Sequence, residues 1–274
     1  MNEGFEPGAV HLEKYLFCAN IGSGGMVLAV FVEGCPMALG SQPRWTVRTA
    51  DAQVDIDVGL REYMLRIYNY MASGLALTGI VAYLAASTGL YRAIEATPLI
   101  WLVILAPLGL VLLLSYRIER MEASTAQALF WVFAAVMGLS LASIFLRFTG
   151  ESVARVFFIT AGTFGAMSLY GYTTRRDLSQ MGSFMIMGLI GIIIASVVNI
   201  FLASSALQFA ISVIGVIVFI GLTAWDTQRI KEMYVAYDDG QVAGKKAIMG
   251  ALTLYLDFIN LFIMLMQLLG VRRD

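Results

Sequence analysis

Residues 253–262 read TLYLDFINLF, an aspartate in the middle of a run otherwise suited to hydrocarbon. A carboxylate midway along a membrane helix costs roughly 2.5–3.5 kcal/mol on insertion scales, so Asp257 calls for a role. On a helical wheel Thr253, Asp257, Asn260 and Gln267 fall within about 80° of one another, with Gly250 and Met264 on the same face and Tyr255 pointing away. A second stripe precedes it: Gln208, Ser212, Gly215, Thr223 and Asp226 also share an arc of about 80°. Polar stripes in lipid must turn toward other helices or water. Thr253, Ser212 and Gln267 are read chiefly as interhelical hydrogen-bonding groups, worth roughly 0.6 kcal/mol each. Asp226, at the end of its segment, would by itself be an ordinary solvated carboxylate.

Together the two acids allow more. If the ends of their helices approach, two carboxyl groups share one low-dielectric site and compete for a single proton. Protonated, they hydrogen-bond and close the end of the bundle; ionised, they repel or attract a cation. Calcium takes six to eight hard oxygens, and two aspartates with Asn260, helix carbonyls and water make only a weak, wet set, better suited to passage than to storage. The chain's only cysteines, Cys18 and Cys35, and its only histidine, His11, precede every apolar span. No zinc cluster, redox pair or nucleophile–base set can therefore be built among the spans, and an enzyme is not expected.

The elements that must position these acids are membrane helices. The 274 residues are 59% hydrophobic and 14% charged, with mean hydropathy +0.79, far from an ordinary soluble domain. A net charge of -1 offers no basic face for nucleic acid. Seven stretches are long enough to cross a bilayer, near 67–87, 98–116, 126–146, 152–173, 181–202, 206–225 and 248–269. Short polar turns join them, which predicts one all-α bundle spanning residues 56–274. Arg61, Arg66, Arg117, Arg120, Arg175, Arg176, Arg229, Lys231, Lys245 and Lys246 lie on the side of the N-terminal segment, against Arg92, Arg147, Arg155, Arg272 and Arg273 opposite. The excess predicts a cytoplasmic N-terminus and, with seven spans, an external C-terminus. Tyr63, Tyr68 and Tyr70 read as an interfacial belt. Ala161, Gly165 and Ala166, with Gly188, Gly191 and Ala195, read as small-residue packing faces.

Residues 1–55 differ in kind. They show no helical or strand period, and their glycines neither follow a strand nor match G-x-G-x-x-G. The expectation is a disordered or loosely docked tail, with a translated upstream stretch as the other reading. The apolar run 26–32 is too short for a signal-peptide core and is followed by Glu33.

The segments FIGLTAWDTQRIKEMY (219–234), LTLYLDFINLF (252–262) and GLSLASIFLRFTGESVARVFFITAGTFGAMSLYGYTTRRDLS (138–179) together resemble the Bax inhibitor-1 family, in its bacterial inner-membrane branch. The resemblance covers roughly residues 55–270 and leaves out the tail. It implies a seven-transmembrane-helix bundle with the last helix central and wrapped by the other six, in the inner membrane. It also implies a pH-sensitive calcium leak gated by an aspartate pair, calcium being the permeant ion and no cofactor being held. The sixth-helix aspartate of the family falls on Asp226 and the seventh-helix aspartate on Asp257. An arginine at the end of the second helix, implied to pair with Asp226, matches Arg117, with Arg120 as the second choice. The competing reading is a regulatory membrane protein that modulates a membrane protease or stress response, with the tail or the loop RIKEMYVAYDDGQVAGKK as its docking surface. A proton-coupled transporter is a third reading, without a pair of broken-helix repeats to support it.

Overall fold

A computed structural model describes residues 50–273, with side chains described from residue 58. Residues 1–49, and with them Cys18, Cys35, His11 and most of the expected tail, lie outside the described residues. The described chain forms eight α-helices: α1 (Ala50–Ser87), α2 (Leu90–Glu95), α3 (Leu99–Arg117), α4 (Ala123–Arg147), α5 (Gly150–Thr173), α6 (Ser179–Leu202), α7 (Ser205–Glu232) and α8 (Gly240–Leu269), with a single 3-10 turn (Ile118–Arg120) after α3. All but α2 are long and apolar enough to cross a membrane. The protein is an all-α, seven-span bundle.

Helix α1 begins before the predicted first span, its candidate membrane segment being Val58–Ser87. Its 30 residues make about 45 Å of helix, against a hydrocarbon core of about 30 Å. The excess accommodates Arg61, Glu62 and Arg66 beyond the apolar layer. The short α2 occupies the connection to α3, after a left-handed turn at Gly89 (φ 74°) that favours glycine. Hydroxyl and carboxylate caps set later starts: Thr149 Oγ1 accepts from the Ser152 amide for α5, Ser204 Oγ from Leu207 for α7, and Asp239 Oδ1 from Val242 for α8. Ala203 ends α6 in the left-handed region (φ 47°), where Asn199 Oδ1 accepts the next amide, from Ser204, at 3.0 Å.

Helix α8 is the centre. Of its most apolar window 89% is buried, against 22% for α3 and α6. Its main neighbours are α7, α1, α5 and α4, while α3 packs chiefly on α4 and α6 on α7. Four helices therefore form the inner wall around α8, and α3 and α6 pack outside them, so the last helix is central as expected. Tyr255 accounts for the choice. It points away from the acid stripe yet is fully buried, its hydroxyl 2.6 Å from Thr78 Oγ1, which donates to the Ala134 carbonyl at 2.8 Å. A helix polar on opposite faces cannot show either face to lipid.

Two packing expectations are corrected. Gly165 and Gly191 have open space where a side chain would be, and Ala166 is exposed. Of that set, Gly188 does make a close contact, with Val218, and Ala161 and Ala195 pack against the core. Closer approaches between helices lie elsewhere: a Cβ on Gly171 would sit 2.1 Å from the Ala224 carbonyl oxygen, one on Gly138 2.6 Å from that of Thr78, and one on Gly182 against the Trp225 ring. Nor do the α1 tyrosines form a belt. Tyr63 is buried with its ring 5.6 Å from that of Tyr234, Tyr68 hydrogen-bonds Ser168, and Tyr70 meets Phe130 edge to face. These rings fill the seam between α1 and its neighbours, where the Tyr68 hydroxyl finds Ser168 while the buried Tyr63 hydroxyl has no partner among the described residues.

Candidate functional site

The two stripes meet. Gly215 of α7 abuts Met264 of α8, and Gly250 of α8 abuts Ile230 near the end of α7. This antiparallel register sets Asp226 against Asp257, whose side chains are hydrogen-bonded to each other. An ionised carboxylate only accepts, so two carboxyl groups placed this way can bond only by sharing a proton. Both residues are buried, Asp226 at 4% exposure and Asp257 at 6%.

Asp226, which taken alone could have been a solvated helix end, is buried. It lies six residues, about 9 Å, before the last residue of α7. Because Gly250 is opposite Ile230, the first turns of α8 project past the end of α7, and the acid lies below the rim of the bundle. The overhang is pinned by Lys246, whose Nζ donates to Asp238 Oδ2 at 2.6 Å and to the Met233 carbonyl at 3.1 Å. Asp257 is deeper, about 26 Å along α8 from its start. Its Oδ2 is buried and has no hydrogen-bond partner among the described residues. That oxygen is the acceptor left over once the other serves the pair.

Asn260 is buried on α8, three residues beyond Asp257 and on the same face. Arg117 is not brought to the acids. It is exposed at the end of α3, a helix whose main spanning neighbour is α4, and Arg120 is exposed in the turn that follows. Thr253 donates only to the Met249 carbonyl of its own helix. At the other end of the stripes, Gln267 Oε1 accepts from Gln208 Nε2 and from Ser212 Oγ, and Asn199 Nδ2 donates to Gln208 Oε1 at 3.1 Å. These groups tie α6, α7 and α8 together, as interhelical polar residues do. Among the described residues no group of three or more His, Cys, Asp or Glu gathers, so a cation at the pair would draw on two carboxylates plus neutral oxygens.

Several groups around the pair were not anticipated. Tyr68, Ser168 and Thr227 form a hydroxyl chain across α1, α5 and α7. Gln228 bonds the α5–α6 turn from both ends, its Oε1 accepting from the Leu178 amide and its Nε2 donating to the Arg176 carbonyl. Lys231 Nζ donates to the Tyr172 carbonyl at 2.8 Å. Thr227, Gln228 and Lys231 all lie within FIGLTAWDTQRIKEMY, and their clustering beside Asp226 was the available signal.

Fold and site define a class: a polytopic helical membrane protein with a buried, mutually hydrogen-bonded acid pair between its last two spans. Within that class the chain belongs to the family described as "Inhibitor of apoptosis-promoting Bax1", whose profile matches residues 60–274. It is 53% identical over 230 residues to protein RP147 of Rickettsia prowazekii, covering 84% of this chain and 98% of the relative. It is 48% identical over 228 residues to the inner membrane protein YbhL of Escherichia coli K12, covering 82% and 97%. A Streptococcus pyogenes membrane protein, SpyM3_0260, is 35% identical over 217 residues, covering 78% and 94%.

Proposed function

We propose that this protein is a pH-sensitive calcium leak of a bacterial inner membrane, with Asp226 and Asp257 as its latch. One observation carries the reading: two buried acids from adjacent spans are hydrogen-bonded to each other near one end of the bundle. With one proton the pair bridges α7 and α8 and holds that end shut. Loss of the proton leaves two like charges in a low-dielectric site, and their repulsion favours separation of the helices or entry of a cation. Asp257 Oδ2, with no partner of its own, and Asn260 beyond it are the oxygens a dehydrating calcium ion would meet next. So few protein ligands favour passage over retention. Arg117, exposed at the end of α3, serves as a mobile positive charge near the mouth rather than as a partner of the closed pair. The excess of Lys and Arg at the end nearer Asp226 supports a cytoplasmic N-terminus.

The test is ion flux into liposomes containing the purified full chain, over a range of pH, with calcium against potassium and sodium. Calcium entry is expected to rise as the pair loses its proton. Asp226→Asn and Asp257→Asn are each expected to flatten that dependence. Wild-type flux and wild-type pH dependence in both variants would remove the latch.

A further inference from the structure

We propose that Tyr68, Ser168 and Thr227 form a one-way hydroxyl clamp that fixes the rotation of α7 and thereby aims Asp226 at Asp257. The inference rests on the acid pair being the working site, and it assigns the residues that position it. Thr227 Oγ1 donates to the Thr223 carbonyl at 2.7 Å, and a carbonyl can only accept. The single hydroxyl proton of Thr227 is thereby committed, so at the 2.9 Å contact with Ser168 the donor is Ser168. The proton of Ser168 is then committed too, and at the 2.6 Å contact with Tyr68 the donor is Tyr68. With Thr227 donating to the Thr223 carbonyl, the donors run in one direction, from Tyr68 to Ser168 to Thr227, and the chain ends on helix backbone, which suits a tie between helices.

Its placement gives it leverage. Thr227 directly follows Asp226, so the two side chains leave α7 about 100° apart, one toward α5 and the other toward α8. One turn away, Gly171 of α5 lies directly against the Ala224 carbonyl of α7, in an approach that any side chain would prevent. That contact brings the helices close enough for two short side chains, Ser168 and Thr227, to meet. Tyr68 then extends the tie to α1. With side-chain tips about 5–6 Å from the helix axis, a rotation of about 20° would carry a carboxyl about 2 Å, which is more than a hydrogen bond tolerates. The clamp opposes that rotation from the adjoining position.

The test is infrared spectroscopy of the purified full chain at fixed pH, reading the C=O band of the protonated carboxyl. The band is assigned by its loss in Asp226→Asn and Asp257→Asn. Thr227→Val and Tyr68→Phe are each expected to move it to higher wavenumber, as a carboxyl does on losing its hydrogen bond. Thr227→Ser, which keeps the hydroxyl, is expected to restore the wild-type position. Ser140→Ala removes an interhelical hydroxyl between α4 and α3, helices that carry neither acid, and is expected to leave the band in place. An unmoved band in both Thr227→Val and Tyr68→Phe, or an equal movement in Ser140→Ala, overturns the clamp. A wild-type band in a protein that passes no calcium overturns the leak alone, because the spectroscopic comparison needs no flux. A wild-type protein with no such band at any pH overturns the pair and the clamp together.

Discussion

Replacing Gly171 by alanine tests the tightest approach of a glycine to the backbone of another helix among the described residues. The new Cβ would sit 2.1 Å from the Ala224 carbonyl oxygen, whereas real Cβ atoms do not approach closer than 3.0 Å. The neighbour is backbone, so no side chain can swing aside. Helices α5 and α7 must separate by about 0.9 Å or more, and overpacking of this kind costs about 1–3 kcal/mol. Alanine also gains about 1 kcal/mol of helix propensity over glycine, which masks part of that cost. Gly165→Ala, on the same helix with nothing within 4 Å, provides the correction. It receives the propensity gain without the clash, so the difference between the two variants isolates the steric term. Unfolding by a graded denaturing detergent in mixed micelles is expected to place Gly171→Ala below Gly165→Ala by about 1–3 kcal/mol. Equal stabilities, within about 0.5 kcal/mol, would show that α5 and α7 do not meet at this backbone contact.

Two further outcomes follow from the rim of the bundle and its turns. Lys246→Met strands Asp238 and the Met233 carbonyl in a half-enclosed site, where the paired side chains are only 12% and 17% exposed, and is expected to cost about 2–3 kcal/mol in the same assay. The double variant Lys246→Met with Asp238→Asn should recover most of that loss, and a single-variant cost below about 0.5 kcal/mol would class the pair with solvated surface bridges. In the α5–α6 turn, bonds from the Ser179 hydroxyl and then the Ser179 amide hold the exposed Asp177 carboxyl below the usual carboxylate range. A group depressed in the folded state contributes its stabilisation above its unfolded value and loses it as pH falls through the folded one. Protection of the amides in the first turn of α6, relative to their intrinsic exchange rate, should therefore fall in acid, below about pH 4, and Asp177→Asn should remove that acid limb. An acid limb that persists in Asp177→Asn would place its origin elsewhere.

The sequence by itself determined how many helices cross the membrane, because about 20 apolar residues in a row have no other stable arrangement in this class. It also marked Asp257, since a charge within such a run is conspicuous against its hydrocarbon background, whereas Asp226, just past its predicted span, gained weight only beside Asp257. The sequence placed Tyr255 on the face opposite Asp257, and the structure shows that face enclosed as well. The lipid face left no such mark. Leu, Ile, Phe and small residues are as much at home in acyl chains as between helices, so Gly165 and Gly171 look alike in the sequence while only Gly171 touches backbone. The α1 tyrosines were equally ambiguous, because a phenol at a helix end satisfies its hydroxyl as well against Ser168 as against a headgroup. Only the tertiary structure decided the register of α7 on α8. The spacing of residues 226 and 257 does not reveal how far α8 overhangs its partner, and that overhang is what turns an acid near a helix end into a buried member of a pair.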